Sequence, residues 1–195
     1  MSLKNWDNKT WLSSKDYINA FNNFLIRQIK LDKNSSILDI GCGRGKILGN
    51  ITSKLRLIKK PTGIDIEQHK DRDRRIIFNK TDAISFLKRN RKKFDLICSN
   101  PPYVSSKEYK YLDESIKNYE PKLALISKDN GLGHLKHIAK EGRKYLKKNG
   151  TIFFEIGINQ LKEVENILNC FGYSELLSYN DLNKVKRIVS AKWKN

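Results

Sequence analysis

The chain has 195 residues, 38% of them hydrophobic and 10% aromatic, with a net charge of +18. That length suits one domain burying roughly 70% of its unfolded surface, and the composition excludes a disordered chain. No apolar run nears the ~20 residues of a bilayer span, and the start, Met1-Ser2-Leu3-Lys4-Asn5-Trp6, carries no apolar signal core, so a cytoplasmic protein without membrane partners is expected. Cys42, Cys98 and Cys170 are odd in number, far apart and free of any Cys-x-x-Cys pair. They read as buried free thiols, with neither a disulfide framework nor a zinc knuckle. The charge comes from 29 Lys and 10 Arg spread along the chain. It points mildly toward RNA or another anionic partner, tempered by the preference for Lys over the bidentate Arg.

In chain order, Tyr17, Ile18, Phe21, Phe24, Leu25 and Ile29 fall at helical spacing, predicting a helix over most of 11–31 with Ser13 or Ser14 as its cap. Trp6 and Trp11 lie outside this periodic core. Ser36–Ile40 reads as a buried strand, and Gly41-Cys42-Gly43-Arg44-Gly45 as the turn before a helix reaching about Leu57. Pro61–Ile66 and Arg75–Asn79 are the next strands, then a helix over Ala83–Asn90 and a strand at Phe94–Ser99. After a long loop, a helix near Gly133–Leu146, a strand at Thr151–Ile156 and a helix near Gln160–Cys170 follow. Ser174–Ser178 and Val185–Trp193 predict a final antiparallel pair. Alternating strands and helices, with strands apolar throughout, predict an α/β fold: a mostly parallel seven-stranded sheet with helices on both faces and an antiparallel last strand. Residues 1–35 read as a helical segment packed on a core domain of 36–195.

Two features carry chemistry. The glycine turn lacks the last Gly of a dinucleotide fingerprint, where Lys46 stands, and does not match a P-loop. It suits a nucleoside pocket, with Lys46 facing solvent. Asp65, ending the second strand, is placed to accept from ribose hydroxyls. Asp82 either meets an adenine edge or simply caps the helix at Ala83. The second feature is Asn100-Pro101-Pro102-Tyr103. Prolines cannot extend a central strand, so the chain leaves the sheet here as a stiff turn, at the strand end where open α/β sheets bind ligands. One amide, one ring and the backbone carbonyls suit a planar –NH2 group. Asp39-x-Gly-x-Gly-x-Gly, Asp65, Asp82 and Asn-Pro-Pro-Tyr occur in the order of a Rossmann-like, class I S-adenosylmethionine-dependent methyltransferase. His134 and His137 share a helix face, but no third residue has a spacing that suggests a metal.

From Ser36 to Trp193 the chain resembles the HemK/PrmC family, the glutamine N5-methyltransferases of peptide-chain release factors. The resemblance is carried by Phe94–Val104, Tyr119-Glu120-Pro121-Lys122-Leu123-Ala124-Leu125, Asn130-Gly131-Leu132, Leu146–Gly150, Phe154-Glu155-Ile156-Gly157, Gln160, and Asp181-Leu182 with Arg187. It implies S-adenosyl-L-methionine as cofactor. The implied cofactor residues are Asp39, Gly41, Cys42 and Gly43 at the methionine end, Asp65 and Ile66 at the ribose, Asp82 and Ala83 beside adenine, and Asn100. It also implies that Asn100 and the Pro101 carbonyl hold a substrate amide, with Pro102 and Tyr103 completing the catalytic turn. The chain departs from the family's pattern: the usual helical domain ahead of the catalytic one is replaced by about 35 residues, and Trp11–Asp16 stands in place of a Pro-Arg-Pro-type segment. Asn-Pro-Pro-aromatic is shared with nucleobase methyltransferases, so adenine N6 or guanine N2 of RNA or DNA is the alternative acceptor, and a non-catalytic cofactor-binding module is a third reading. The short link from Asp65 to Asp82, with Lys70-Asp71-Arg72-Asp73-Arg74-Arg75 inside it, predicts an irregular basic loop rather than a helix, either solvated or in contact with RNA.

Overall fold

A computed structural model describes residues 15–119, 121–181 and 184–195. Trp6, Trp11, the expected cap at Ser13 or Ser14, Glu120 and Leu182 lie outside the described residues. Helix α1 (Lys15–Ile29) precedes β1 (Ile37–Ile40), α2 (Lys46–Leu55) leads to β2 (Thr62–Asp65), and β3 (Ile77–Lys80) follows with no intervening helix. Then come α3 (Ala83–Arg89), β4 (Phe94–Ser99), α4 (Glu114–Tyr119), α5 (Lys122–Leu125), α6 (Gly133–Gly142), β5 (Leu146–Glu155), α7 (Leu161–Cys170), β6 (Ser174–Asn180) and β7 (Lys186–Trp193). The strands form one sheet in the order β3-β2-β1-β4-β5-β7-β6. Neighbours from β3 through β5 are parallel, and β7 runs antiparallel to both β5 and β6.

The strands' side chains point alternately to two cores, as the pleat requires. Leu38, Ile40, Ile97, Ile152 and Phe154 face a cluster with α3, α6 and α7. Ile37, Leu96 and Phe153 face the other way, onto Leu25 of α1 and Leu48 and Ile51 of α2. Phe21 and Phe24 meet the Phe153 ring edge-on, at 6.1 and 6.3 Å between centroids. Burial on both faces is why these strands are apolar runs rather than alternating patterns.

Three expectations are corrected. The loop after β4 contains a 3-10 turn (Glu108–Tyr111) as well as α4 and α5. These elements are four to six residues long, too short for the helical period to show in sequence. β5 starts at Leu146, and α6 ends at Gly142. Leu146 pairs with Phe94 and the register then shifts, so that Leu96 meets Thr151. Finally, the thiols are free, but Cys42 and Cys98 are only half-buried and Cys170 is exposed.

Candidate active site

The sheet order reverses between β1 and β4, the position where open α/β sheets bind ligands beyond the strand ends. The β1–β4 register sets Ile40 beside Ser99, and Ser99 Oγ donates to the Ile40 carbonyl at 2.8 Å. The glycine turn after β1 and the Asn-Pro-Pro-Tyr turn after β4 therefore emerge side by side. A Cβ on Gly41 would lie 3.9 Å from the Asn100 carbonyl oxygen, and one on Gly43 would meet nothing within 4 Å.

Gly41, Gly43 and Gly45 have φ of +80, +52 and +70, values that glycine reaches without steric penalty. The Gly41 and Cys42 N–H groups donate to the Ile64 carbonyl at 2.9 and 3.0 Å, tying the turn to the end of β2. Asp65 Oδ2 accepts from the Gly43 N–H at 2.8 Å and Oδ1 from the Glu67 N–H at 2.9 Å. Each carboxylate oxygen retains a lone pair for a ligand hydroxyl. Asp39, partly exposed beside this turn, has its carboxyl pushed up to about 7, chiefly by desolvation; the Cys98 thiol opposes that and the Asp65 charge adds to it. Burial also pushes the Cys42 and Cys98 thiols upward, so neither is an activated nucleophile. Lys46 is exposed, as expected. Asp82, itself exposed, caps α3: Oδ1 accepts from the Ser85 N–H at 2.9 Å. Ile66 is 48% exposed, and Ala83 is half-buried.

The Asn100–Tyr103 turn is clamped from three sides. Asn100 is exposed, while Pro101 is buried. Next along the chain, Val104 N–H donates to Leu125 and its carbonyl accepts from Ser127, both at 2.9 Å. Gln160 Nε2 donates to the Tyr103 carbonyl at 2.9 Å while its Oε1 accepts from the Gly157 N–H at 2.8 Å. Gly131, at φ +88, presses on the same carbonyl, and a Cβ there would collide with it. Arg187 Nη2 donates to Tyr103 Oη at 2.9 Å, its guanidinium sits 5.1 Å from the Tyr103 ring centroid, and it pairs with Glu155 at 3.3 Å. Gly131, Glu155, Gly157, Gln160 and Arg187 thus meet at one turn. The sequence supplies these residues only through a family pattern; their contacts were not legible in it.

Sequence reasoning missed Asp73. It is 8% exposed, and Arg75 holds it with a hydrogen bond from Nε at 2.9 Å and an ion pair from Nη2 at 2.6 Å. That guanidinium keeps its carboxyl below the ordinary value. Arg44 pairs with Asp71 at 3.0 Å, and Arg72 lies over Phe78. The basic loop is irregular, as predicted, and much of its charge is paired within the fold. Among the described residues, no group of three or more His, Cys, Asp or Glu could hold a metal ion. His134 Nδ1 instead lies 2.8 Å from Ser127 Oγ.

A family model described as a methyltransferase domain matches residues 31–172. The chain belongs to the methyltransferase domain family. Release factor glutamine methyltransferase from Fusobacterium nucleatum is 39% identical over 166 residues, 80% of this chain and 47% of that protein. Its counterpart from Clostridium botulinum is 31% identical over 86% of this chain and 63% of its own length. A bifunctional methyltransferase from Rickettsia typhi is 35% identical over 83% of this chain and 33% of its own length. The resemblance to release factor glutamine methyltransferases seen in the motifs is borne out by these relatives. The chain spans about a third to just under two thirds of their length. Two solved methyltransferase domains share the fold. A SAM-dependent methyltransferase from Archaeoglobus fulgidus has a TM-score of 0.62 at 15% identity, over 95% of this chain and 97% of that one. N-methyltransferase NodS from Bradyrhizobium japonicum, in complex with S-adenosyl-l-homocysteine, has a TM-score of 0.56 at 16% identity, over 99% and 95%.

Proposed function

We propose that this methyltransferase domain transfers a methyl group from S-adenosyl-L-methionine to the side-chain amide nitrogen of a protein glutamine, in a peptide-chain release factor. The observation that carries the reading is the pairing of the two turns at the β1–β4 switch, an acceptor-rich turn fixed beside an open glycine cradle. The names of the relatives at 31–39% identity support the acceptor. In this reading residues 36–195 form the catalytic domain, with α1 packed on it.

The cradle fits the cofactor. Gly41, Cys42 and Gly43 leave open backbone, Asp39 offers a carboxylate to a cationic amino acid end, and Asp65 and Ile66 flank the ribose position. Ala83 and the α3 start, capped by Asp82, lie on the adenine side. When bound, the cofactor supplies a methyl group activated by a sulfonium. The chain's own work is on the acceptor. An amide nitrogen is a poor nucleophile because its lone pair is delocalised. Asn100 Oδ1 and the Pro101 carbonyl accept from its two N–H groups, orient the lone pair and favour the positive charge that grows there. Pro102 stiffens the turn, and Tyr103 borders the amide with its ring held by Arg187. Once methylated, the nitrogen carries a positive charge and is strongly acidic, so its extra proton passes to solvent and no strong base is required.

Asn100→Ala removes one acceptor. Methyl-label transfer to a purified release factor is expected to fall by ~100-fold or more, as for loss of a preorganised transition-state contact, with cofactor binding still measurable by calorimetry. Near-normal turnover would sink the role of Asn100. Label entering purified RNA, and no release factor, would overturn the glutamine reading.

A further inference from the structure

The charge of +18 is divided unevenly between the two edges of the sheet. On the catalytic edge, the segment after the Asn-Pro-Pro turn is balanced, residues 101–132 setting Lys107, Lys110, Lys117, Lys122 and Lys128 against an equal number of carboxylates, and the glycine turn adds Lys46 and Arg44, the latter paired with Asp71. The opposite edge, where the parallel strands begin, is different. Before β2 stand Lys54, Arg56, Lys59 and Lys60 with no acidic residue among them. Before β4 stand Lys88, Arg89, Arg91, Lys92 and Lys93, again with none. The entry to β5 carries Arg143, Lys144, Lys147 and Lys148.

These loops form one surface. β2, β1, β4 and β5 are adjacent and parallel, so their starts line up over about 15 Å at the usual strand spacing. The backbone links the loops: Ile58 N–H donates to Lys33, and Phe94 N–H to Tyr145, at 2.9 and 2.7 Å. Ser36 Oγ donates to the Lys93 carbonyl at 3.2 Å. Helix dipoles explain part of the charge, since Lys54, Lys88 and Arg89 lie in the last turns of α2 and α3. They do not explain Lys59, Lys60, Lys92, Lys93 and Lys148, which lie outside any helix, exposed. Among the described residues, none of these five has a carboxylate partner within ion-pair distance. A cavity of about 290 Å³ opens on this edge, lined by Lys30, Asp32, Asn34, Lys147, Lys148 and Asn149 among others. Its deeper carboxylate, Asp95, is already neutralised by Lys147 at 2.7 Å and by the Ser36 N–H and hydroxyl.

We propose that this amino edge of the sheet is a binding surface for the phosphate backbone of structured RNA, separate from the catalytic turn. Lysines suit backbone contact that positions without reading sequence, and Asn34, Ser35 and Asn149 add polar partners for sugar hydroxyls at the cavity. A bilayer surface is a poorer match. Ile58 is the large exposed hydrophobic of these loops, and one side chain is little to insert. RNA held here is an anchor for the protein rather than its methyl acceptor.

The test is fluorescence anisotropy of the purified chain with a labelled RNA hairpin of ~20 base pairs, titrated over salt. The variant K92E/K93E/K148E is expected to bind at least ~10-fold more weakly, with the slope of log K against log salt reduced by about 2–3, roughly one per lost phosphate contact. The charge-matched variant K107E/K110E/K128E on the catalytic edge is expected to stay within ~3-fold of wild type, since distant exposed charges are screened. Equal weakening by both variants would reduce the effect to net charge and overturn the proposal. So would no binding by wild type at ~100 mM salt, or tighter binding of phosphatidylglycerol vesicles than of RNA. Should the triple variant melt early, K92Q/K93Q must still lower the slope. Methyl transfer to free release factor is expected to be unchanged in K92E/K93E/K148E, so failure of the anchor and failure of the methyltransferase reading are told apart.

Discussion

Asp39 carries two opposed demands. Its carboxyl is pushed from 3.8 to about 7 because desolvation disfavours the charge, and Asp65 adds to that. The folded state therefore binds this proton more tightly than the unfolded chain, and this site's contribution to stability falls as pH rises from about 4 to about 7. Asp39→Asn removes that dependence: melting curves across this range are expected to show wild type losing stability relative to the variant. Cofactor affinity is expected to move the other way, tightening in wild type as pH passes about 7 and staying flat in Asp39→Asn. A flat wild-type profile in calorimetry would remove Asp39 from the methionine end. Gln160 acts through another residue, since it fixes the Tyr103 carbonyl and the Gly157 N–H together. Gln160→Ala is expected to lower kcat ~10-fold by loosening the turn, with cofactor affinity within ~2-fold. Gln160→Glu keeps the acceptor for Gly157 but sets an oxygen against the Tyr103 carbonyl, and is expected to do no better. An unchanged kcat in both variants would leave Gln160 a mere packing residue. Its sequence gave no reason for the contact, because Tyr103 lies 57 positions away.

At the scale of elements, the link from β2 to β3 shows how a loop replaces a helix. The shortness of the sequence between Asp65 and Asp82 was enough to predict that no helix fits. It did not show that Asp73 folds back beneath α2, where Arg75 also donates to Ser53 Oγ at 2.6 Å. Gly49, buried in α2, leaves the space that the Asp73 carboxylate fills, and a Cβ there would collide with it. Gly49→Ala would raise helix propensity yet is expected to destabilise by ~1–3 kcal/mol through overpacking, read as a lower urea midpoint. A gain in stability would mean that the loop yields freely. The short helices after β4 are the converse case. Of these, α5 is fixed by a tertiary contact, the Leu125 carbonyl accepting from the Val104 N–H, rather than by any periodicity of its own.

For the whole molecule, the parallel order brings the paired turns to one edge and the basic loops to the other. Crowding that much positive charge at one edge stores repulsion in the folded state. Salt screens it, so the Tm of wild type is expected to rise between ~20 and ~300 mM KCl. The rise is expected to be smaller in K92E/K93E/K148E, and an equal rise in both would place the repulsion elsewhere.

The order of the strands and the longer helices, the parallel sheet with its antiparallel last strand, and the two turns at its carboxyl edge were determined by sequence alone, because apolar runs, glycine turns and a double proline act locally. So was the resemblance carried by scattered motif residues. The reason those residues belong together was decided by tertiary structure. Arg187 reaches Tyr103 across 84 positions, and Gln160 reaches the Tyr103 carbonyl across 57. The division of charge between the edges likewise depends on which strand starts lie side by side. Spacing along a chain does not encode proximity across a sheet; strand order and register do.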